Sequence, residues 1–264
     1  MPSKVIDNLL SEALSPGVTK RILKGLKMRP LSCVEQEQVS VGLGRRDGGV
    51  AITKFRIEMT FENLACLRDR TWLNDEVVNF HMEMLTERLV SRKTLPNLNP
   101  LNCAFFNTFF FTKLTGGTSG LSYDYKSVQR WTKRAKLDIF ALDLLFIPIN
   151  LNNVHWVLGV VNFKEKRLEY FDSMHGSDRG FFTVMEKYLQ DEFQDKKSDT
   201  FDFGDWSTVL RTDCPTQQNG YDCGMFVCKF TDYLSDGLDL DFSSQDMVFF
   251  RERLYADILQ GSIP

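Results

Sequence analysis

Four residues of this 264-residue chain have the types and spacing that thiol-based acyl transfer requires: His155, Asp172, Gln217 and Cys223. That chemistry needs a thiolate nucleophile, an imidazole that carries the proton, a third group that fixes the imidazole, and hydrogen-bond donors for the oxyanion. Each of the four residues has an ordinary structural interpretation when it is considered alone. The combination is much less expected by chance than any single member, so it is the set that predicts an enzyme.

Residues 214–228 place Cys223 at the start of a predicted helix. Asn219 and Gly220 form a strong turn signal, because glycine adopts positive φ freely and asparagine tolerates it, and we expect Gly220 to resist substitution wherever positive φ is required. The apolar residues after this turn follow helical spacing: Phe226, Val227, Phe230 and Leu234. The unpaired N–H groups and the dipole at such a helix start favour a thiolate, although a small buried cysteine is the simpler interpretation of Cys223 by itself.

His155 and Asp172 lie at the ends of two consecutive predicted strands. His155 opens one strand, Asp172 closes the next, and the short connection at residues 164–166 predicts an antiparallel pair with its ends together. Asp172 could then accept a hydrogen bond from His155. Gln217 lies across the turn from Cys223, where its amide and the backbone N–H of Cys223 could donate to an oxyanion. The alternatives are a satisfied surface histidine and a turn-forming aspartate.

The composition argues against several classes of protein. The net charge of −3 gives no sign of a nucleic-acid partner, and there is no run of about 18 apolar residues that could span a membrane. The six cysteines form no C-x-x-C pair and the chain has three histidines, so we expect no zinc site and no cofactor. Without a signal-peptide core, we expect reduced cysteines and a nuclear or cytoplasmic location.

The order of the predicted elements favours an α+β fold with a helical N-terminal part, a central mixed or antiparallel sheet, and helices after it. Residues 1–30 form a predicted helical extension with amphipathic patterns at residues 5–14 and 18–26. The basic residues of that extension predict either a docking or targeting patch or, more simply, a solvated helix face. Residues 31–264 are predicted to form a single catalytic domain.

Local signals predict the elements around the candidate residues. Ser32 resembles the N-cap of a short helix before a flexible loop at residues 42–49, and residues 52–59 alternate like one strand. Thr60 begins a helix without a capping box, because residue 63 is asparagine rather than glutamate or glutamine. The remaining predicted helices lie at residues 75–92 (with Asn74 as N-cap), 125–134, 182–193 and 243–258, and the remaining strands lie at residues 144–149, 155–163, 167–171 and 207–211.

Six motifs, which occur in the family's order, resemble the SUMO-specific (Ulp/SENP) cysteine proteases. They are NGYDCGMFVC at 219–228 with the preceding Gln217-Gln218, VHW at 154–156, YFDSM at 170–174, WLNDE at 72–76, FNTFFFTKL at 106–114 and RWTK at 130–133. The resemblance covers roughly residue 30 to the C-terminus. It implies a papain-like fold of the ubiquitin-like-protease type, in which Cys223 is the nucleophile, His155 the base and acid, Asp172 the orienting residue and Gln217 the oxyanion donor.

The resemblance also implies how the substrate is recognised. The Gly-Gly tail of the modifier threads a tunnel that Trp156 covers and Trp72 lines, and two indoles can close over glycine because it lacks a side chain. Asp75 is expected to pair with an arginine of the modifier, and Phe109 to lie on the same binding surface. From residue type alone, core packing is the simpler interpretation of Trp72 and Phe109.

The implied function is cleavage after the Gly-Gly of SUMO, for precursor maturation and for release from lysine, by a protein expected to be a monomer. A protease of the same fold specific for the Nedd/Rub-type modifier is the nearest alternative. A second alternative is an acyltransferase. The tunnel-type Trp156 and the lack of a Gly-rich phosphate loop argue against it. A third is a non-catalytic SUMO-binding domain, which the intact candidate residues disfavour. Residues 1–30 lie outside the resemblance, and the regions 42–49 and 116–125 depart from the family pattern, which leaves partner selectivity and targeting open.

Overall fold

The computed structural model describes residues 15–95, 98–117 and 122–264, so the predicted pattern at residues 5–14 lies outside the described residues. The chain divides into two compact units, one formed by residues 1–101 and 217–264 and the other by residues 102–216. Helices dominate the first unit, and a five-stranded mixed sheet dominates the second, which confirms the predicted α+β class. The domain boundary predicted at residue 30 stays a prediction.

The described elements are as follows in chain order. The helices are α1 (Pro16–Lys27), α2 (Cys33–Gly44), α3 (Phe61–Leu64), α4 (Asp75–Arg92), α5 (Phe109–Thr115), α6 (Trp131–Ala135), α7 (Phe181–Lys197), α8 (Cys223–Ser235) and α9 (Met247–Gln260). The strands are β1 (Val50–Lys54), β2 (Ile57–Thr60), β3 (Cys103–Phe105), β4 (Leu144–Leu151), β5 (His155–Asn162), β6 (Arg167–Phe171) and β7 (Ser207–Arg211). Short 3₁₀ segments occur at Ala65–Leu67, Tyr125–Ser127, Ile139–Ala141 and Ser244–Asp246.

Helices α4, α8 and α9 pack against one another in the first unit. The Asn74 side chain accepts a hydrogen bond of 2.9 Å from the backbone N–H of Val77, which confirms the predicted N-cap of α4. The apolar side chains that these helices bury completely include Val77, Val78, Phe80, Met225, Phe226, Phe230 and Ile258. Because α8 is surrounded by buried contacts along almost its whole length, its first residue is held on a rigid element.

A buried ion network joins α1 to α4 and α8. Lys27, whose side chain is 3 % exposed, contacts Asp232 and Asp236 near the end of α8, and Arg88 reaches Asp232 at 2.6 Å. The attraction between paired charges offsets much of the desolvation free energy that burial costs each charge. The solvated face predicted for the N-terminal extension therefore does not include Lys27, because two carboxylates near the end of α8 surround its ammonium group. Lys20 on the same helix is exposed, as such a face predicts.

The predicted loop at residues 42–49 is wrong for its first three residues, because α2 continues to Gly44. Ser32 and Glu35 form a reciprocal capping box that starts this helix. Gly42 allows α9 to come close: a Cβ atom at this position would lie 2.0 Å from the hydroxyl oxygen of Tyr255. A glycine that reads as a loop signal in the sequence is therefore a packing residue inside a helix.

The single strand predicted at residues 52–59 is a hairpin of β1 and β2. Phe55 and Arg56 have φ values of 56° and 60° and form its turn, so Phe55 is a turn residue and not an inward strand position. The capping prediction for Thr60 is also wrong. The Asn63 side chain accepts from the backbone N–H of Thr60 at 3.0 Å, and the Thr60 hydroxyl accepts from the N–H of Asn63 at 3.1 Å. Asparagine thus replaces glutamate in a complete capping box.

The sheet of the second unit has the strand order β3-β4-β5-β6-β7. Strands β4, β5 and β6 are antiparallel neighbours, as predicted, whereas β3 and β7 pair in parallel with β4 and β6. Nearly every residue of β4 and β5 is buried, which explains their continuous apolar sequences. Gly159 in β5 makes room for α7, because a Cβ atom there would lie 2.2 Å from the ring of Phe181.

The helix predicted at residues 125–134 is wrong as a single element. The Asp124 side chain caps a 3₁₀ segment at Tyr125–Ser127, and α6 begins separately at Trp131. The ring of Trp131 packs edge-on against Phe110, with centroids 5.4 Å apart, so the first residue of α6 contacts α5. The predicted loop at residues 116–122 lies partly outside the described residues.

Candidate active site

The pairing of β5 with β6 brings His155 and Asp172 together. Leu158 pairs with Phe171 at the end of β6, so the residue after that strand reaches the start of β5. His155 Nε2 lies 2.7 Å from Asp172 Oδ1. The strand connection that the sequence predicts therefore produces the predicted contact within the second unit.

The Asp172 carboxylate lies in an environment that favours its ionised form. The residue is 5 % exposed, and burial by itself would raise its pKa. Hydrogen bonds from His155, from the N–H of Met174 at 2.8 Å and from the N–H of Gly176 at 3.0 Å outweigh burial and lower the pKa below the usual range. Gly176 permits this approach, because a Cβ atom there would lie 2.6 Å from Asp172 Oδ2.

The contact with Asp172 assigns a role to each nitrogen of the His155 ring. A carboxylate only accepts hydrogen bonds, so Nε2 donates to Asp172 and carries a proton. Nδ1 is then the nitrogen that must take up and return a proton in catalysis. The His155 side chain is 15 % exposed, so the ring lies at the edge of the buried core of the second unit.

Cys223 is the first residue of α8, as predicted, and is 3 % exposed. The first helical hydrogen bond joins the N–H of Phe226 to the carbonyl of Asp222 at 3.0 Å, so the N–H of Cys223 precedes the helical ladder. Other cysteines have environments that disfavour a thiolate. Burial raises the pKa of Cys66 to about 11, of Cys214 to about 11 and of Cys228 to about 12.

The loop before Cys223 is built around the side chain of Asn219. Its Oδ1 atom accepts from the N–H groups of Tyr221 at 3.0 Å and Asp222 at 3.1 Å, which is an Asx turn. The Gln217 amide donates to the carbonyl of Asn219 at 2.5 Å, so Gln217 is folded back along the loop. The condition stated for Gly220 is not met: its φ is not positive, and a Cβ atom there would meet no atom within 4 Å, so resistance to substitution is not expected at this position.

The four predicted substrate-binding residues divide between the units. In the first, the indole N–H of Trp72 donates to the carbonyl of Gly220 at 2.7 Å while 48 % of the residue stays exposed, and Asp75 is at the first position of α4. In the second, Phe109 is 50 % exposed at the first position of α5, and Trp156 is buried at 3 %. Exposure of Trp72 and Phe109 disagrees with core packing, the interpretation that residue type alone favours.

The structure thus joins His155 to Asp172 in the second unit, and it places Gln217 and Cys223 on one loop-and-helix segment of the first. One residue at this segment escaped the sequence analysis: Arg251 of α9 contacts Asp222 beside the cysteine. No sequence signal marks it, since arginine on an amphipathic helix is usually solvated. Among the described residues there is no group of three or more histidine, cysteine or acidic side chains that could hold a metal, and no helix long and apolar enough to cross a membrane.

A histidine fixed by a buried carboxylate and a cysteine at the start of a buried helix are the components of a thiol-dependent hydrolase. Comparison with known proteins agrees with this class. Residues 71–261 match the Ulp1 protease family, C-terminal catalytic domain. The chain therefore belongs to the Ulp1 protease family.

Individual relatives and solved structures extend the comparison. The chain is 39 % identical to the putative ubiquitin-like-specific protease 1B of Arabidopsis thaliana over 92 % of this chain and 71 % of the relative. It spans less than half the length of two further Arabidopsis relatives. It is similar to the C-terminal Ulp1 protease domain solved in complex with Smt3, the yeast ortholog of SUMO, with a TM-score of 0.72 and 32 % identity over 88 % of this chain and 96 % of that one. It is also similar to the SUMO protease Ulp1 with its catalytic cysteine oxidised to a sulfonic acid, with a TM-score of 0.73 and 33 % identity over 89 % and 98 % of the two chains.

Proposed function

We propose that this chain is a SUMO-specific cysteine protease that cleaves after the C-terminal Gly-Gly of the modifier, both in precursors and in conjugates to lysine. The observation that carries the proposal is the family match over residues 71–261, which includes all four predicted catalytic residues. The similarity to a Ulp1 domain that was solved with yeast SUMO supports the choice of modifier.

The proposed reaction begins with attack of the Cys223 sulfur on the carbonyl carbon of the terminal glycine. His155 takes the thiol proton on Nδ1, and the hydrogen bond of its Nε2 to Asp172 stabilises the resulting imidazolium. The N–H of Cys223 and the amide of Gln217 donate to the oxyanion of the tetrahedral intermediate. His155 then protonates the departing lysine amine, and a thioester remains on Cys223.

The second half of the reaction repeats these roles with water. His155 accepts a proton from the attacking water molecule, the oxyanion forms again, and the Cys223 thiolate leaves as the modifier departs with a free carboxylate. No metal ion or cofactor is needed for either half, because the thiol supplies the nucleophile and the imidazole carries every proton.

The same proposal gives the exposed aromatic and acidic residues a role in substrate recognition. The hydrogen bond of Trp72 to the Gly220 carbonyl fixes its exposed indole beside the segment that carries Cys223, where it would line the path of the Gly-Gly tail. Within the described part of the chain, the Asp75 carboxylate makes no hydrogen bond or ion pair, so it can receive an arginine of the modifier. Trp156 and Phe109 are proposed to cover the tail and to contact the body of the modifier.

Electrophilic modifiers test the function directly. SUMO, a Nedd/Rub-type modifier and ubiquitin, each ending in a thiol-reactive group in place of the last glycine, are incubated separately with the protein, and the adduct is mapped by mass spectrometry. We expect the SUMO probe to label Cys223. Labelling by the Nedd/Rub-type probe alone would overturn the choice of modifier and keep the chemistry.

Two cysteine variants separate enzyme from binding domain. Cys223→Ala should retain SUMO binding and lose cleavage by a factor on the order of 10³ or more, since no other thiol takes its place. Cys33→Ala is the matched control, because Cys33 is the exposed cysteine, and it should cleave at the wild-type rate. Undiminished cleavage by Cys223→Ala would refute the assignment of the nucleophile.

A further inference from the structure

We propose that Arg251, on the C-terminal helix α9, is a positioning residue that holds the loop of Gln217 and the start of α8 in their reactive geometry. The inference rests on the proposed function, because the proposed protease reaction uses oxyanion donors that lie on this loop. Arg251 does not itself belong to the four predicted catalytic residues, and its guanidinium is 2 % exposed.

Every N–H group of the Arg251 guanidinium has an acceptor. Nε and Nη2 donate to Asp222 Oδ1 at 3.0 and 2.7 Å, and Nη2 also donates to the carbonyl of Tyr221 at 3.0 Å. Nη1 donates to the carbonyls of Cys66 and Arg68, both at 3.1 Å. A guanidinium carries five N–H donors in a fixed plane, and this site supplies five matching contacts. Such complete satisfaction indicates a rigid joint between α9, the segment after α3 and the loop before α8.

The contacts continue from Arg251 to the oxyanion donors through Asp222. One carboxylate oxygen of Asp222 faces Arg251, and the other accepts from the Asn219 amide at 2.8 Å. Asn219 in turn closes the Asx turn with its Oδ1 and accepts the Gln217 amide with its backbone carbonyl. Asp222 is adjacent to Cys223, so its displacement would loosen both the turn and the orientation of Gln217.

The arrangement requires arginine rather than any cation. Lysine has a single nitrogen, which cannot reach the carboxylate of Asp222 and the carbonyls of Cys66 and Arg68 together. Arg251→Lys keeps the positive charge that Asp222 needs but leaves several buried acceptors without donors. The expected defect is thus a displaced loop with the ion pair retained, which affects the transition state more than the binding of the modifier.

Helix α9 offers a matched control two residues further on. Arg253 is also buried, at 4 % exposure, but it pairs with Glu35 and Asp257. Among the residues that the structure describes, it makes no hydrogen bond or ion pair with the loop or with the first turn of α8. Arg253→Lys should also lower thermal stability, because it breaks the buried contacts with Glu35 and Asp257. It should not change the turnover of the folded enzyme.

The experiment measures cleavage of a SUMO precursor by wild type, Arg251→Lys and Arg253→Lys, together with their melting temperatures. We expect Arg251→Lys to lower kcat by about 10²-fold, the size of effect that a misplacement of about 1 Å produces, with KM changed by less than about threefold. Arg253→Lys should keep the wild-type kcat. A wild-type kcat in folded Arg251→Lys, or equal kcat losses in the two variants, overturns the inference.

A second variant keeps the test decisive if Arg251→Lys does not fold. Asn219→Ala removes the link between Asp222 and the turn at a partly buried surface position, and we expect a kcat loss of about tenfold or more at unchanged KM. A wild-type kcat in Asn219→Ala would then refute the positioning role. The two proposals fail separately: absence of SUMO cleavage by wild type refutes the proposed function, whereas an active wild type with active variants refutes only the role of Arg251.

Discussion

The interaction of Asp172 with His155 leads to a prediction for Asp172→Asn, a change that preserves the size of the side chain. The carboxylate accepts three hydrogen bonds: Oδ1 accepts from His155 and Met174, and Oδ2 accepts from Gly176. Asparagine has one acceptor oxygen and one NH₂ group, so it cannot serve all three donors.

Both orientations of the new amide are unfavourable. With its oxygen towards His155 and Met174, its NH₂ group faces the N–H of Gly176, and two donors oppose each other. In the flipped orientation the NH₂ group donates to His155 Nε2, which moves the ring proton to Nδ1, the atom that must accept the thiol proton. In either case the negative charge that stabilises the imidazolium is lost.

The size of the effect follows from the charged hydrogen bond that disappears. Hydrogen bonds to charged groups contribute about 1.5–3 kcal/mol, and each 1.4 kcal/mol corresponds to about tenfold in rate, so we expect kcat/KM to fall by about 10- to 150-fold. This loss is smaller than that expected for Cys223→Ala, because asparagine still holds the ring in one orientation. Most of the change should lie in kcat, since Asp172 is proposed to act on the imidazolium and not on the bound modifier.

The assay is steady-state cleavage of a SUMO precursor at pH 7, with folding verified by circular dichroism. Asp213→Asn is the control, because Asp213 is an exposed aspartate of the same unit that pairs with Arg211, and it should retain wild-type kinetics. Wild-type kcat/KM in Asp172→Asn, or an equal loss in Asp213→Asn, would refute the orienting role of Asp172.

Four further predictions follow from individual sites. His155→Ala should lower kcat/KM by about 10³-fold in the same assay, and a loss below tenfold would contradict its role as base. Gly220→Ala should change the free energy of unfolding by less than about 0.5 kcal/mol in urea denaturation, because the site is open; a loss above 1 kcal/mol would contradict the absence of positive φ. Gly159→Ala should cost about 1–3 kcal/mol in the same measurement, because its Cβ would overlap Phe181, and a neutral result would contradict this packing. Stability should fall as the pH is lowered below about 4: burial raises the pKa of Asp236, but its arginine and lysine partners lower it below the usual value, so its stabilisation is complete above about pH 4 and is lost progressively as the pH falls towards the folded pKa. A free energy of unfolding that does not change over this range would contradict the stabilising role of the network.

Sequence reasoning succeeded where the deciding interactions are local. The cap of α4 by Asn74 involves residues three positions apart, and the contact between His155 and Asp172 follows from two apolar strands joined by a short connection. The start of α8 at Cys223 also depends on nearby residues, namely the turn before it and the apolar spacing after it. Each of these features follows from a short sequence pattern that usually forms the same local structure.

Sequence reasoning failed where partners come from distant segments or where one residue type serves two purposes. Gly42 indicates a loop, yet it lies in a helix, because Tyr255 from the far end of the chain occupies the space beside it. Asn219 and Gly220 predict the turn that the structure has, but the asparagine side chain and not a positive φ of glycine forms it. Lys27 has the pattern of a solvated residue and is nonetheless buried by carboxylates more than 200 residues away.

By itself the sequence determined the α+β class, the family resemblance and the four residues proposed to carry out acyl transfer, because motif spacing and hydrophobic period are encoded along the chain. The supports of those residues become visible in the folded chain: the backbone N–H groups that donate to Asp172, and the buried arginine that anchors the loop before Cys223. The physical reason is that a hydrogen bond between distant segments leaves no periodic trace in the sequence. An arginine that satisfies five acceptors in the core and one that is solvated on a surface helix are written with the same letter.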